Sequence, residues 1–140
     1  MHGDEAPLRE DIAALLVMLA RHDARSEALY DPMAGTGTIA IEAASLARAR
    51  SLWMSGREPL GARVPALAQA FAGKAPPLFA DTRPFVLANE LDAARAELCV
   101  RHCKRAEVDP YVESVTGDFQ ALSPEQVFER VRARGLDPSR

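Results

Sequence analysis

The chain has 140 residues, a net charge of −3, 48% hydrophobic and 26% charged residues, which is the make-up of one globular domain with a single core. That charge excludes a generic basic surface for nucleic acid, and no apolar run approaches the roughly 20 residues of a membrane span. Met1-His-Gly-Asp-Glu5 has no basic, apolar leader, and the two cysteines, Cys99 and Cys103, fall on one expected helix, so free thiols and a cytoplasmic protein are expected.

A first helix is expected over residues 7 to 22. Pro7 suits a first helical position and Asp4 or Glu5 can serve the N-terminus, while Leu8, Ile12, Leu15, Leu16 and Leu19 recur as one apolar stripe. After a turn at Asp23-Ala-Arg-Ser26, the apolar run Ala28 to Tyr30 reads as a buried strand. Asp31 ends it, Ala34-Gly35-Thr36-Gly37 turns the chain, and an Ala- and Ile-rich helix follows from about Thr38 to about Arg50. A glycine turn lets a ligand lie against the backbone, and the helix aims its free N–H groups at that ligand.

Residues 51 to 83 form a Pro/Gly-rich insertion, broken by Pro59, Pro65, Pro76 and Pro77 with Gly56, Gly61 and Gly73, with room for a short helix over Val64 to Phe71. Pro84 to Glu90 is a near-continuous apolar run ending in an acid, as in a parallel strand covered on both faces. Asp92 can cap a third helix, about Ala93 to Ala106, carrying Ala96, Leu98, Cys99, Val100 and Cys103. Val112 to Thr116 reads as the third strand, ending at Gly117-Asp118-Phe119, and Pro124 opens a last helix that stops near Gly135. Alternating helices and strands make an α/β fold with an open parallel sheet.

Ligands of such sheets bind beyond the carboxyl ends of the strands. Those ends carry Asp31 with the glycine loop, then Glu90, then Asp118. Against an adenosine-containing cofactor, Asp31 can organise the loop or accept from an ammonium group. Glu90 can accept from the ribose hydroxyls, and Asp118 from the adenine amine, with Phe119 on the ring. Gly35-Thr-Gly-Thr-Ile-Ala40 also fits the dinucleotide fingerprint G-x-G-x-x-A, whose acid lies about 20 residues on; Glu90 lies much further. The acid just before the glycine turn favours S-adenosylmethionine, whose amino-acid moiety is cationic as well as anionic. A phosphate-binding P-loop is excluded, because no lysine follows the second glycine.

Tyr30-Asp-Pro-Met-Ala-Gly-Thr-Gly-Thr-Ile-Ala-Ile-Glu-Ala-Ala44 resembles the Asp-Pro-Met-Cys-Gly-Ser-Gly-Thr motif of the THUMP-associated RNA guanine-N2 methylases, a branch of the class I S-adenosylmethionine-dependent methyltransferases. Ala6-Pro-Leu-Arg-Glu-Asp-Ile-Ala-Ala14, Asn89-Glu-Leu-Asp-Ala-Ala-Arg95 and Gly117-Asp118 are similar to segments of that family, so the resemblance spans most of residues 6 to 122. It implies a Rossmann-like three-layer α/β/α sheet and S-adenosylmethionine as cofactor. Asp31, Pro32, Met33, Ala34, Gly35, Thr36 and Gly37 would form the cofactor loop, Glu90 and Leu91 the ribose side, and Asp118 and Phe119 the adenine side. Ala34 stands where the family commonly has Cys.

The family's catalytic tetrapeptide, Asn- or Asp-Pro-Pro-Tyr or Phe, follows its fourth strand and is absent here; Pro76-Pro77 lies in the insertion, before the second strand. No catalytic residue is therefore named. The resemblance implies the N-terminal half of a methyltransferase domain, about three parallel strands of an incomplete sheet. Such a chain would be a fragment or truncated product that meets RNA, rRNA or tRNA, through regions it lacks, or a cofactor-binding module without catalysis. A DNA adenine or small-molecule methylase shares the same loop. The open sheet edge makes self-association a further expectation.

Three weaker signals complete the reading. Cys99, His102 and Cys103 have no second cluster to complete a metal site, so a buried packing role is expected and no metal. Arg48, Arg50, Arg57 and Arg63 around Trp53 are read as a solvated insertion before an RNA contact. Arg130, Arg132 and Arg134 are read as a solvated helix face.

Overall fold

The computed structural model describes residues 8–49, 64–65, 78–79 and 81–138. Its regular elements are α1 (Glu10–Leu19), β1 (Ala28–Asp31), α2 (Thr38–Ala47), β2 (Phe85–Glu90), α3 (Ala93–Arg105), β3 (Val112–Thr116) and α4 (Pro124–Ala133). Short 3₁₀ turns at Asp109–Tyr111 and Phe119–Ala121 flank β3. The expected Rossmann-like α/β architecture is present: β1, β2 and β3 form one parallel sheet in that order, with helices on both faces. The insertion, the helix expected within it, Asp4, Glu5 and Pro7 lie outside the described residues, apart from Val64, Pro65, Leu78, Phe79 and Asp81 to Arg83.

Burial explains the layering. β2 is the central strand and is buried at every position, so its apolar run serves two cores. Val86 and Ala88 meet Ala40, Ala43 and Ala44 of α2, Cys99 and Cys103 of α3, and Val17 of α1. Phe85 and Leu87 meet Val131 of α4 on the other face. The small side chains on α2 and α3 bring the helices close to the sheet, and Gly37 marks the tightest point. A Cβ there would lie 2.5 Å from Cys99 Sγ.

Local signals set the ends of α3 and α4. Asp92 accepts from the amides of Ala94 at 2.8 Å and Arg95 at 3.1 Å, which is the expected cap. Ser123 and Gln126 form a reciprocal capping box on α4.

Two helix faces carry detail that the sequence pattern leaves open. The stripe on α1 faces solvent: Ala13 is fully buried and Val17 nearly so, while Leu15 is 50% and Leu19 69% exposed. The periodicity located an apolar face, but the helix packs on α2 through its small residues and the large ones stay between 40% and 69% exposed. Arg132 and Arg134 are exposed and Arg130 is partly so, as expected of a solvated face, but Arg130 and Arg134 are also latched. Both pair with Glu113 of β3, and Arg134 also lies 5.0 Å over the Phe85 ring. Arg48 is tied down as well, against Tyr111 and the Thr82 carbonyl.

Candidate cofactor site

The three strand-end loops meet at one rim. β1 delivers Asp31, nearly buried, whose Oδ1 accepts from the Met33 amide at 3.2 Å. Gly35 and Gly37 both take left-handed conformations, with φ of 56° and 89°, which cost glycine little. Their surroundings differ. A Cβ on Gly35 would meet nothing within 4 Å, so this glycine leaves open space above the loop. Gly37 faces Cys99 and lets α2 settle on α3. No side chain caps the N-terminus of α2, so its first amides face the same rim as an electropositive end.

Glu90 lies at the end of β2, and the structure gives it two partners within the protein. Its Oε2 accepts from the Gly35 amide at 2.7 Å and its Oε1 from the Asp92 amide at 3.0 Å. It therefore holds the glycine loop against the start of α3, while its remaining lone pairs can meet a ligand. Asp31 and Glu90 are both buried carboxylates. Burial first, and the Glu90 charge in addition, push the Asp31 carboxyl above its ordinary value, against a lowering by the Met33 amide. The rim thus concentrates negative charge that the protein only partly offsets.

Beyond β3, the Gly117 amide donates to the Glu90 carbonyl at 2.9 Å, bringing Asp118 to the rim. Asp118 itself caps the 3₁₀ turn through the Gln120 amide at 2.9 Å, and Phe119 is partly exposed beside it. Met33 and Leu91 are 73% and 71% exposed, two apolar side chains available at the rim. Asp31, Glu90 and Asp118 thus sit on neighbouring strand ends, as the sequence spacing implied.

Two side chains hold the loops in ways the sequence did not reveal. His102 Nδ1 lies 3.2 Å from the Thr36 carbonyl; the carbonyl can only accept, so Nδ1 carries the proton. Asn89, fully buried, donates through Nδ2 to the Pro32 carbonyl at 3.3 Å and the Gly117 carbonyl at 2.9 Å. Cys99 and Cys103 are buried under the loop. Their shared hydrogen bond and burial push the Cys103 thiol well above its usual value. Among the described residues, no group of three His, Cys, Asp or Glu side chains gathers as a metal site.

A parallel α/β sheet with a glycine turn and acids along its carboxyl rim is a Rossmann-like α/β domain. The comparisons narrow that class. The family model for the RMKL-like methyltransferase domain matches residues 2–132, and the chain belongs to that family of S-adenosylmethionine-dependent methyltransferases. A 42-residue stretch is 57% identical to ribosomal RNA large subunit methyltransferase K/L from two strains of Aliivibrio fischeri, covering 30% of this chain and 6% of that protein.

Among solved structures, SMU.472, assigned as a methyltransferase and complexed with SAH, superposes with a TM-score of 0.72 at 21% identity, over 85% of this chain and 32% of that one. A predicted N6-adenine-specific DNA methylase from Listeria monocytogenes gives 0.66 at 22% identity, over 88% of this chain and 33% of its own. At these identities the structures speak for the fold. The chain spans about a third of each and a far smaller share of the curated relative. No described helix is long and apolar enough to cross a membrane.

Proposed function

We propose that this chain is the S-adenosylmethionine-binding portion of an RNA methyltransferase that modifies the exocyclic N2 amine of guanine. The observation that carries the reading is the pair of buried carboxylates, Asp31 and Glu90, facing a glycine loop with open space above Gly35. S-adenosylmethionine brings an ammonium and a sulfonium to such a site, and supplies a methyl group activated by its positive sulfur. A dinucleotide brings a pyrophosphate, whose charge repels both acids. The site's negative charge therefore favours the methyl donor.

In this reading Asp31 receives the ammonium group, Glu90 accepts from the ribose while holding Gly35, and Asp118 and Phe119 take the adenine. Pro32, Met33, Ala34, Thr36 and Gly37 shape the loop, and Leu91 covers the ribose edge. The chain's contribution to catalysis is positioning, since transfer needs the amine in line with the methyl–sulfur bond. The acceptor's binding groups and the grip on rRNA or tRNA lie in parts of the enzyme beyond this chain, in the cytoplasm. The similarity to a ribosomal RNA methyltransferase supports RNA as the acceptor.

A second reading is a cofactor-binding module that does no chemistry alone, favoured by the lack of an Asn-Pro-Pro-Tyr-type segment. Methyl transfer to guanosine-containing RNA by the isolated chain excludes it.

Calorimetric titration with S-adenosylmethionine, S-adenosylhomocysteine and NAD tests the cofactor assignment. The S-adenosyl compounds are expected to bind and NAD not; NAD binding alone overturns the reading, and binding of none removes this chain as a self-sufficient cofactor site. Glu90→Ala is expected to weaken binding by about 1–3 kcal/mol through lost charged hydrogen bonds. Unchanged affinity removes the role of Glu90.

A further inference from the structure

The glycine loop is held from both faces of the sheet, and only one of the two holds involves a conspicuous acid. Side chains of adjacent strand residues point to opposite faces. From one face, the Glu90 carboxylate grips the Gly35 amide at 2.7 Å. From the other, the Asn89 amide reaches the Pro32 carbonyl at 3.3 Å and the Gly117 carbonyl at 2.9 Å. The Asn89 backbone carbonyl also accepts from the Ala34 amide at 2.8 Å.

We propose that Asn89 is a positioning residue that straps the glycine loop after β1 to the Gly117-Asp118 loop after β3, and so sets the gap that the cofactor must fit. The chemistry requires an amide at this position. Two carbonyl oxygens face Nδ2, so the group between them must donate twice; a carboxylate would place negative charge against both. The other end of the side chain supports the same conclusion. Asn89 Oδ1 is buried without a hydrogen-bond partner, a configuration that costs stability. A residue selected for packing alone would avoid that cost. The strap joins segments 57 and 28 residues from Asn89 along the chain, and is the one described side chain that hydrogen-bonds to both loops.

The cofactor arm of this inference rests on the proposed cofactor site; the coupling of the two loops does not. Asn89→Leu keeps the side chain's approximate size, removes both donors and abolishes the orphaned acceptor. The test is amide hydrogen exchange of the 140-residue chain, with melting temperature and S-adenosylhomocysteine affinity measured in parallel. Exchange is expected to accelerate about tenfold at Met33 to Gly37 and at Gly117 to Gln120 together. β2 and α3 should keep their protection, and the melting temperature should stay near that of the wild type, while affinity falls about tenfold.

Asn89→Asp should loosen the loops and weaken affinity more than Asn89→Leu at neutral pH. Acceleration at one loop only, at neither, or uniformly through β2 and α3 overturns the strap. Loosened loops with unchanged affinity overturn its positioning role. If the wild-type chain binds no S-adenosylhomocysteine, the cofactor reading falls, and the exchange pattern still decides whether Asn89 joins the loops.

Discussion

The two helices α1 and α3 are both amphipathic, and they meet opposite fates. α3 lays Ala96, Cys99 and Cys103 on the sheet, turns its charged residues outward and starts on a side-chain cap. α1 also buries its small residues, Ala13 and Val17, but exposes Ile12, Leu15, Leu16, Met18 and Leu19, and no side chain caps its start. Its contact with α2 brings Glu10 near Glu42, whose carboxyl is pushed up by burial first and by that like charge second. α2 and α3 lie over strands, whereas α1 rests chiefly on α2 beside a strand with a single partner. At α1 the large apolar side chains extend beyond what α2 covers.

The sharpest way to break the finished side is Gly37→Ala. The new Cβ would collide with Cys99 Sγ and sit at a strained φ, so a loss of about 2–4 kcal/mol is expected in denaturant unfolding. Adding Cys99→Ala should return part of it, because the colliding sulfur is gone. By contrast, Gly35→Ala meets open space and should cost about 1 kcal/mol, from φ alone.

A comparable effect is expected where α3 begins. Asp92→Ala removes the cap on two amides and should cost about 1 kcal/mol, read by the same unfolding curve. Asp31→Asn tests the rim, with a sign fixed by linkage. The folded-state value of Asp31 is raised, so the native chain binds the proton more tightly than the unfolded one. Stability is lost as pH rises through the window from the ordinary carboxylate value to the raised one, and the penalty is complete at neutral pH. The Asn variant should melt higher than the wild type at pH 7 and lose that advantage below the carboxylate range, while binding S-adenosylmethionine less well.

The smallest effect belongs to the unfinished side. Leu15→Ser with Leu19→Ser should alter monomer stability by no more than about 0.5 kcal/mol per site, since both are largely exposed already. Light scattering at rising concentration should show less self-association than the wild type. Equal scattering would show that the open face of α1 has no part in it.

Much of the architecture was legible because its causes are local. β2 announced itself as an apolar run ending at Glu90, α3 by Asp92, and the glycine turn by an acid, two glycines and a helix start. α1 was legible as a helix but not in its facing, because periodicity reveals an apolar stripe and not what lies against it. The latch of Arg130 and Arg134 on Glu113, and the reach of Asn89 to Pro32 and Gly117, were invisible for another reason. Each joins residues far apart in sequence, and the polar partner sits in a run whose pattern reads as plain strand. Cys99 and His102 were noticed for their ligating chemistry, while the structure uses the first as the surface on which Gly37 rests and the second to hold Thr36.

That resting place makes the chain its own reporter. Cys99 is fully enclosed, so a thiol-labelling reagent can reach its sulfur only when α3 lifts away from the glycine turn. With the other free thiol removed by Cys103→Ala, the labelling rate then measures the opening free energy of this one joint. A ligand held by the closed rim should slow labelling in proportion to its saturation, turning a buried sulfur atom into a gauge of site occupancy that needs no catalysis.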